Sequence, residues 1–234
     1  MKIHRGRSVD KIVEEQIHQW QASRGAAKKE EPLKSSVITI SRQPGSRGNE
    51  IAVKLARAFA YELFDREIIQ QMARDSNISD KVLETLDEKG LNMLEDVIAT
   101  IVEQRHLWPD QYMKHLMKII GTIGRHGKAV IVGRGATFII PREENIRLRF
   151  IASLENRIQK VAEDLNVSSE EARRQIYDVE ARRRSFTRRY FYTNVDEPTH
   201  YDMIINTDDI SDDQAVSMIQ ALVENGFKRG PARG

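Results

Sequence analysis

The stretch Val37-Ile38-Thr39-Ile40-Ser41-Arg42-Gln43-Pro44-Gly45-Ser46-Arg47-Gly48-Asn49-Glu50-Ile51 constrains the fold of this chain more than any other. Its Val/Ile/Thr run is of strand type and breaks at Pro44-Gly45-Ser46; Ile51, Leu55 and Phe59 then recur at helical spacing. Strand, glycine turn and helix in that order aim the unpaired N–H groups of the first helical turn at one point, where the helix dipole also favours negative charge. A phosphate suits that point. Gly45 and Gly48 are expected to take positive-φ conformations and, without a Cβ, to leave room for an approaching oxygen.

The common phosphate-loop pattern G-x-x-x-x-G-K-[ST] is not reproduced. Laid on it without a gap, Arg42 and Arg47 take the glycine positions, Gly48 the lysine position and Asn49 the hydroxyl position. The lysine that neutralises the β/γ-phosphates is absent, and so is the Ser/Thr that holds Mg²⁺. Arg42 and Arg47 flank the turn and are candidates to restore charge through their guanidinium forks. An ordinary βα turn with two surface arginines fits the local residues equally well.

A length of 234 residues fits one α/β domain with an extension. An apolar fraction of 40% and a charged fraction of 31% describe a soluble protein, and a net charge of +2 gives no bulk electrostatic case for nucleic acid or membrane binding. The lack of cysteine excludes disulfides and thiolate metal sites. No apolar segment follows the charged start, and no run approaches the ~18 apolar residues of a membrane span, so the expected location is the cytoplasm.

Residues Ser8 to Gln21 read as an amphipathic helix with Val9, Ile12, Val13, Ile17 and Trp20 on one face, and Ala22 to Lys34 as a linker. The helix is expected to fold back on its own domain, with docking on a partner protein or self-association as alternatives. Tyr61 to Asp65 is a short strand leading directly into a helix. Asp65 and Arg66 thus stand at a strand's C-terminal end, where open α/β sheets bind ligands, although a capping role explains Asp65 as well. Ser76 to Gly127 is helical in pattern and predicts an inserted subdomain, with Ser79 opening one helix and Asp110 capping another. His106, Trp108 and His115 fall within it, and the two histidines, which have no metal-ligand spacing, are read as structural.

Lys128 to Thr137 is a continuous apolar strand, as buried central parallel strands are, and it ends in Gly133-Arg134-Gly135. Phe138 stands where a dinucleotide fingerprint needs its third glycine, so Arg134 reads as an anion contact or a surface turn residue. A strand nearer the sheet edge covers Ile146 to Ala152, Ser153 caps a helix to Leu165, and the capping box Ser168 to Glu171 starts a helix to about Arg184. Between Arg173 and Arg189 seven of seventeen residues are arginine and none is lysine. That composition suits phosphoryl oxygens and a mobile flap closing over a transferring phosphate. A solvated face or an RNA-binding helix are the alternatives, the latter disfavoured by the small net charge. A last strand, Tyr201 to Thr207, and a helix capped at Ser211 to Gln214 and ended by Gly226 close the chain. The alternation predicts a parallel sheet with helices on both faces.

Taken together, Ser41-Arg42-Gln43-x-Gly45-Ser46-x-Gly48-x-Glu50-Ile51, Phe64-Asp65-Arg66-Glu67, Gly133-Arg134-Gly135-Ala136, Arg182-Arg183 and Tyr201-Asp202-x-x-Ile205-Asn206-Thr207 resemble, in order, the blocks of the cytidylate kinase-like family, P-loop relatives of the nucleoside monophosphate kinases. The resemblance spans about Ser36 to Phe227. It implies a P-loop NTPase-type three-layer sandwich with a central five-stranded parallel sheet over residues 35–230, preceded by an N-terminal helix and linker over residues 1–34. It also implies a helical insert at about 66–127 and an arginine lid at about 178–200. The implied reaction is transfer of the ATP γ-phosphate, with Mg²⁺, to CMP or dCMP. Arg42, Gly45, Ser46, Arg47, Gly48, Asn49 and Glu50 would then hold the donor phosphates, and Asp65, Arg66 and Arg134 would face the acceptor. Arg182 and Arg183, with Arg188 from the same run, would clamp the transferring group. Gly48 and Gly135 stand where cytidylate kinases carry Lys and Asp, so a nucleotide-binding regulatory protein without turnover is the alternative.

Overall fold

The computed structural model describes residues 8–24, 37–74, 76–104 and 109–224. Five parallel strands form one sheet: β1 (Val37–Arg42), β2 (Glu62–Phe64), β3 (Ala129–Val132), β4 (Asn145–Ile151) and β5 (Met203–Asn206), in spatial order β2-β3-β1-β4-β5. β1 lies in the middle, paired with β3 on one side and β4 on the other. The chain leaves β1 towards one edge of the sheet and later crosses from β3 to β4 on the opposite side. The crevice at the C-terminal end of β1 is therefore the topological switch point of the sheet, the place where such folds bind ligands.

Strand residues alternate between two cores. Ile38, Ile40, Val130 and Val132 face α2 (Gly48–Phe59) and α10 (Asp212–Glu224). Val37, Ala129 and Ile131 face the other layer, which contains α3 (Arg66–Arg74) and α6 (Gln111–His126). Thr39 is buried within the sheet and donates to Asn145 Oδ1 at 2.8 Å. β3 and β1 are thus covered on both faces, as their unbroken apolar runs require.

The helices between β2 and β3 are not a subdomain with its own core. α4 (Ser76–Leu83) and α5 (Glu88–Gln104) pack on α6, and Ile68, Ile69, Met72, Met113, Leu116, Ile120 and Ile123 share one cluster with the strand residues. These helices complete a layer of the sandwich because the stripe on α6 is wide enough to cover a sheet face. α4 begins at Ser76, three residues before the expected start, and Ser79 is buried inside it.

The amphipathic N-terminal helix α1 (Val9–Arg24) folds back onto this layer. Val13, Ile17 and Trp20 are buried, Gln71 Nε2 donates to Asp10, and the Trp20 ring stacks on His126 at 4.4 Å and on Phe64 at 5.8 Å. Its apolar stripe is thereby taken up by the chain itself. The helix also continues through Ala22 to Arg24, residues expected in the linker. The rest of that linker, His106, Trp108 and Gly226 lie outside the described residues.

The short α7 (Ala136–Ile139) follows β3, α8 (Leu154–Leu165) follows β4, and α9 (Ser169–Phe191) runs seven residues beyond the expected stop at Arg184. Burial of Thr187 and Phe191 explains the extension, since the apolar pattern of the helix resumes after the arginines. No described helix is long and apolar enough to cross a membrane.

Candidate anion site at the switch point

Beyond β1 the backbone continues to be held by β4: Gln43 N donates to Phe150 O at 3.0 Å, and Gln43 Oε1 accepts from Ala152 N at 3.1 Å. The chain then turns tightly, with Ser46 N and Ser46 Oγ both directed to Gln43 O. Gly45 has φ 79°, as expected. A Cβ there would sit 2.5 Å from Arg157 O, so the first turn of α8 backs the loop directly. Gly48, expected at positive φ, is instead the first residue of α2, and the left-handed position is Arg47 at φ 53°. The need for glycine at 48 is steric: a Cβ would meet Arg42 Cβ at 2.6 Å.

The two arginines of the loop go opposite ways. Arg47 reaches over to the segment between β5 and α10, donating to the carbonyls of Thr207 and Ile210 and pairing with Asp212 at 3.1 Å. Its charge is committed there rather than to the turn. Arg42 lies inside, with Nε donating to Asn49 Oδ1 at 2.9 Å and Nη1 beside Gly133. Glu50, in the first turn of α2, pairs with Lys160 of α8 at 3.3 Å.

Three further elements converge on Arg42. At the end of β2, Asp65 caps α3 by accepting from the N–H groups of Glu67 (2.9 Å) and Ile68 (3.1 Å), while Arg66 is exposed beside Gln70. At the end of β3, Gly133, Arg134 and Gly135 are all left-handed, with φ 80°, 55° and 72°. A non-glycine residue held there between two glycines is strained, and such strain concentrates at binding sites. From α9, Arg183 Nη1 donates to Arg42 O at 2.5 Å. Arg182 and Arg188 are exposed on other faces of the helix and are not brought to this point.

Two buried arginines outside the sequence motifs, Arg149 and Arg157, add to the arrangement. Arg149, 5% exposed on β4, donates to Ser41 Oγ (2.8 Å) and Asp196 (2.5 Å) and lies 5.4 Å from the Tyr201 ring centroid. Arg157 pairs with Glu180 at 2.7 Å, and Arg184 joins Glu180 to Asp196. A signal was present: Arg147 and Arg149, two apart inside an apolar strand, point to the same buried face and require partners there.

The electrostatics show what the crevice lacks. Arg42 is pushed down to about 9 by loss of hydration and by the charge of Arg183, with Asp65 opposing and Arg66 and Arg134 adding to the push. Arg183 is pushed down to about 10 by burial, then by Arg66 and Arg149. Arg134 is lowered by burial, with Arg66 and Arg74 contributing. A guanidinium keeps its proton in a protein, so this mutual push is borne as destabilisation that an anion relieves. Asp65 is the carboxylate that opposes the push on Arg42 and Glu180 the one that opposes it on Arg183, and Glu180 and Asp196 are themselves held by Arg149, Arg157 and Arg184.

The chain is similar to several known proteins. A cytidylate kinase from Methanopyrus kandleri is 25% identical over 208 residues, covering 83% of this chain and 96% of its own. The solved structure of an uncharacterized protein from Eubacterium ventriosum superposes with a TM-score of 0.64 at 23% identity, covering 81% of this chain and 98% of its own. A shikimate kinase from Bacteroides thetaiotaomicron matches at a TM-score of 0.46 and 12% identity, covering 80% and 98%. The family model described as "Cytidylate kinase-like family" matches residues 37–209, from the start of β1 to just beyond β5, and the chain belongs to that family.

Proposed function

We propose that the chain is a nucleotide kinase that transfers the γ-phosphoryl group of ATP to a pyrimidine nucleoside monophosphate, CMP or dCMP. The observation that carries the reading is the meeting of Arg42 and Arg183 at the switch point, where Arg183 Nη1 donates to Arg42 O and Arg42 Nη1 lies against the turn that carries Arg134, beside a loop whose Gly45 and Ser46 precede a helix N-terminus. Phosphoryl transfer needs alignment and charge neutralisation more than covalent chemistry, and these groups supply both. Bound ATP would bring the transferable phosphoryl group. Loop N–H groups would hold its phosphates, Arg42 and Arg183 would offset their charge, and Arg66 and Arg134 would face the acceptor. The name of the Methanopyrus relative supports the choice of acceptor.

The loop residues do not fit a protein-held Mg²⁺. The hydroxyl position is Asn49, whose Oδ1 accepts from Arg42, and among the described residues no group of three or more His, Cys, Asp or Glu side chains is arranged to hold a metal. Gly48, in the lysine position, brings no charge. These two features are the ground for the second reading, a nucleotide-binding regulator without turnover. A coupled assay for ADP with ATP and a panel of nucleoside monophosphates, with and without Mg²⁺, decides between them. ADP formation that depends on CMP or dCMP supports the kinase. Binding of ATP or CMP by calorimetry without ADP release supports the regulator.

A further inference from the structure

A chain of ion pairs runs across the start of the phosphate loop. Arg149, buried on β4, donates to Ser41 Oγ at 2.8 Å and through Nη2 to Asp196 Oδ1 at 2.5 Å. The other oxygen of that carboxylate accepts from Arg184 Nε at 2.7 Å, and Arg184 Nη2 reaches Glu180 at 3.5 Å. Glu180 in turn accepts from Arg157 Nη1 at 2.7 Å, and Arg157 is the residue whose carbonyl backs Gly45. The end of β1, the segment after α9, α9 itself and the first turn of α8 are thereby tied together over the crevice. Tyr201 Oη, donating to Val195 O at 2.6 Å, holds the residue before Asp196 in place. Beneath this strap lies a pocket of about 30 Å³, with Ser41, Arg42, Gln43, Arg149, Arg183 and Asp196 in its walls. It has room for a water or two; a phosphoryl group, with three oxygens each about the size of a water, does not fit.

We propose that Asp196 is an internal counter-anion that latches α9 and the segment after it over the loop, and that an incoming polyphosphate must displace it. A carboxylate with one guanidinium on each oxygen takes the place of two phosphate oxygens, and such charge-assisted contacts are given up only to a partner of equal or greater charge. A polyphosphate is such a partner; an uncharged nucleoside is not. Asp196 is built to let go. Its side chain is 34% exposed against 6% for Arg149, and it lies on a segment that begins at Tyr192, an exposed residue held left-handed at φ 48°. The pair Arg157 and Glu180, 7% and 11% exposed, is the fixed point on which α9 stays anchored when the latch opens. The latch regulates the site proposed above and rests on the reading of that site as a polyphosphate cradle.

Binding of inorganic tripolyphosphate, measured by calorimetry at fixed ionic strength, tests the latch with or without turnover. Asp196→Asn keeps the shape of the side chain and removes its charge, and it is expected to bind tripolyphosphate about tenfold more tightly than the parent protein. Glu197→Gln removes the same charge one residue along, from a side chain bonded to Thr199 instead of an arginine, and should stay within about twofold of the parent. Equal or weaker binding by Asp196→Asn overturns the latch and leaves the polyphosphate site standing. An equal gain in Glu197→Gln also overturns it, because the effect is then that of net charge alone. Failure of both the parent protein and Asp196→Asn to bind tripolyphosphate overturns the polyphosphate reading and the latch with it.

Discussion

Arg183, in the middle of α9, donates to the main-chain carbonyl of Arg42 at 2.5 Å, which fastens the arginine-rich helix to the end of the strand that leads into the phosphate loop. Its neighbour Arg182 points to solvent. The two are therefore not equivalent. Arg183→Ala is expected to reduce kcat for ADP formation about a hundredfold or more, equivalent to roughly 3 kcal/mol of transition-state stabilisation. Arg182→Ala should change it no more than a few-fold. Equal losses in the two variants would show that α9 rotates or moves during turnover.

Gly45 combines a left-handed backbone with a Cβ direction blocked by the carbonyl of Arg157. Gly45→Ala must shift either the loop or the first turn of α8. ATP affinity, measured by calorimetry, should fall at least tenfold, with a loss of folding stability of about 1–2 kcal/mol in urea titrations. An unchanged ATP affinity would place the triphosphate elsewhere.

Arg47 stands at the N-terminus of α2, yet its guanidinium ties the loop to Thr207, Ile210 and Asp212. Arg47→Ala is expected to lower stability by about 1–2 kcal/mol, because two carbonyl partners and one half-buried carboxylate lose a charged donor. The kcat should fall much less than in Arg183→Ala. A collapse of kcat with unaltered stability would reassign Arg47 to the phosphates.

His126 packs between Trp20 and Thr85. Thr85 Oγ1 donates to Val82 O at 2.6 Å, so its 2.8 Å contact with His126 Nε2 requires the ring to donate, as the neutral Nε2–H tautomer does. Burial pushes the imidazole down to about 4. Because the folded state disfavours the proton that the unfolded chain binds near 6.5, the stabilisation is fully present above about pH 6.5 and is lost as pH falls towards 4. Urea titrations should show up to about 3 kcal/mol lost across that window, accompanied by a change in Trp20 fluorescence. His126→Gln should flatten the dependence. A parent protein equally stable at pH 5 and pH 7.5 would contradict the buried neutral ring.

Features that close within a few residues were legible in the sequence. Asp110, Ser153 and Ser168 cap the helices expected of them, and Ser211 and Gln214 exchange the reciprocal hydrogen bonds of a capping box. The βα alternation and the apolar run of β3 likewise determined a parallel sheet, because periodicity and turn chemistry are local properties. The direction of a long guanidinium is not local. The carbonyl that turns Arg47 away lies 160 residues further along the chain, and the one that receives Arg183 lies 141 residues back. Only the packed sheet brings those acceptors within reach. Tertiary structure alone therefore decided which arginines face the crevice and placed α6 as a layer of the sandwich.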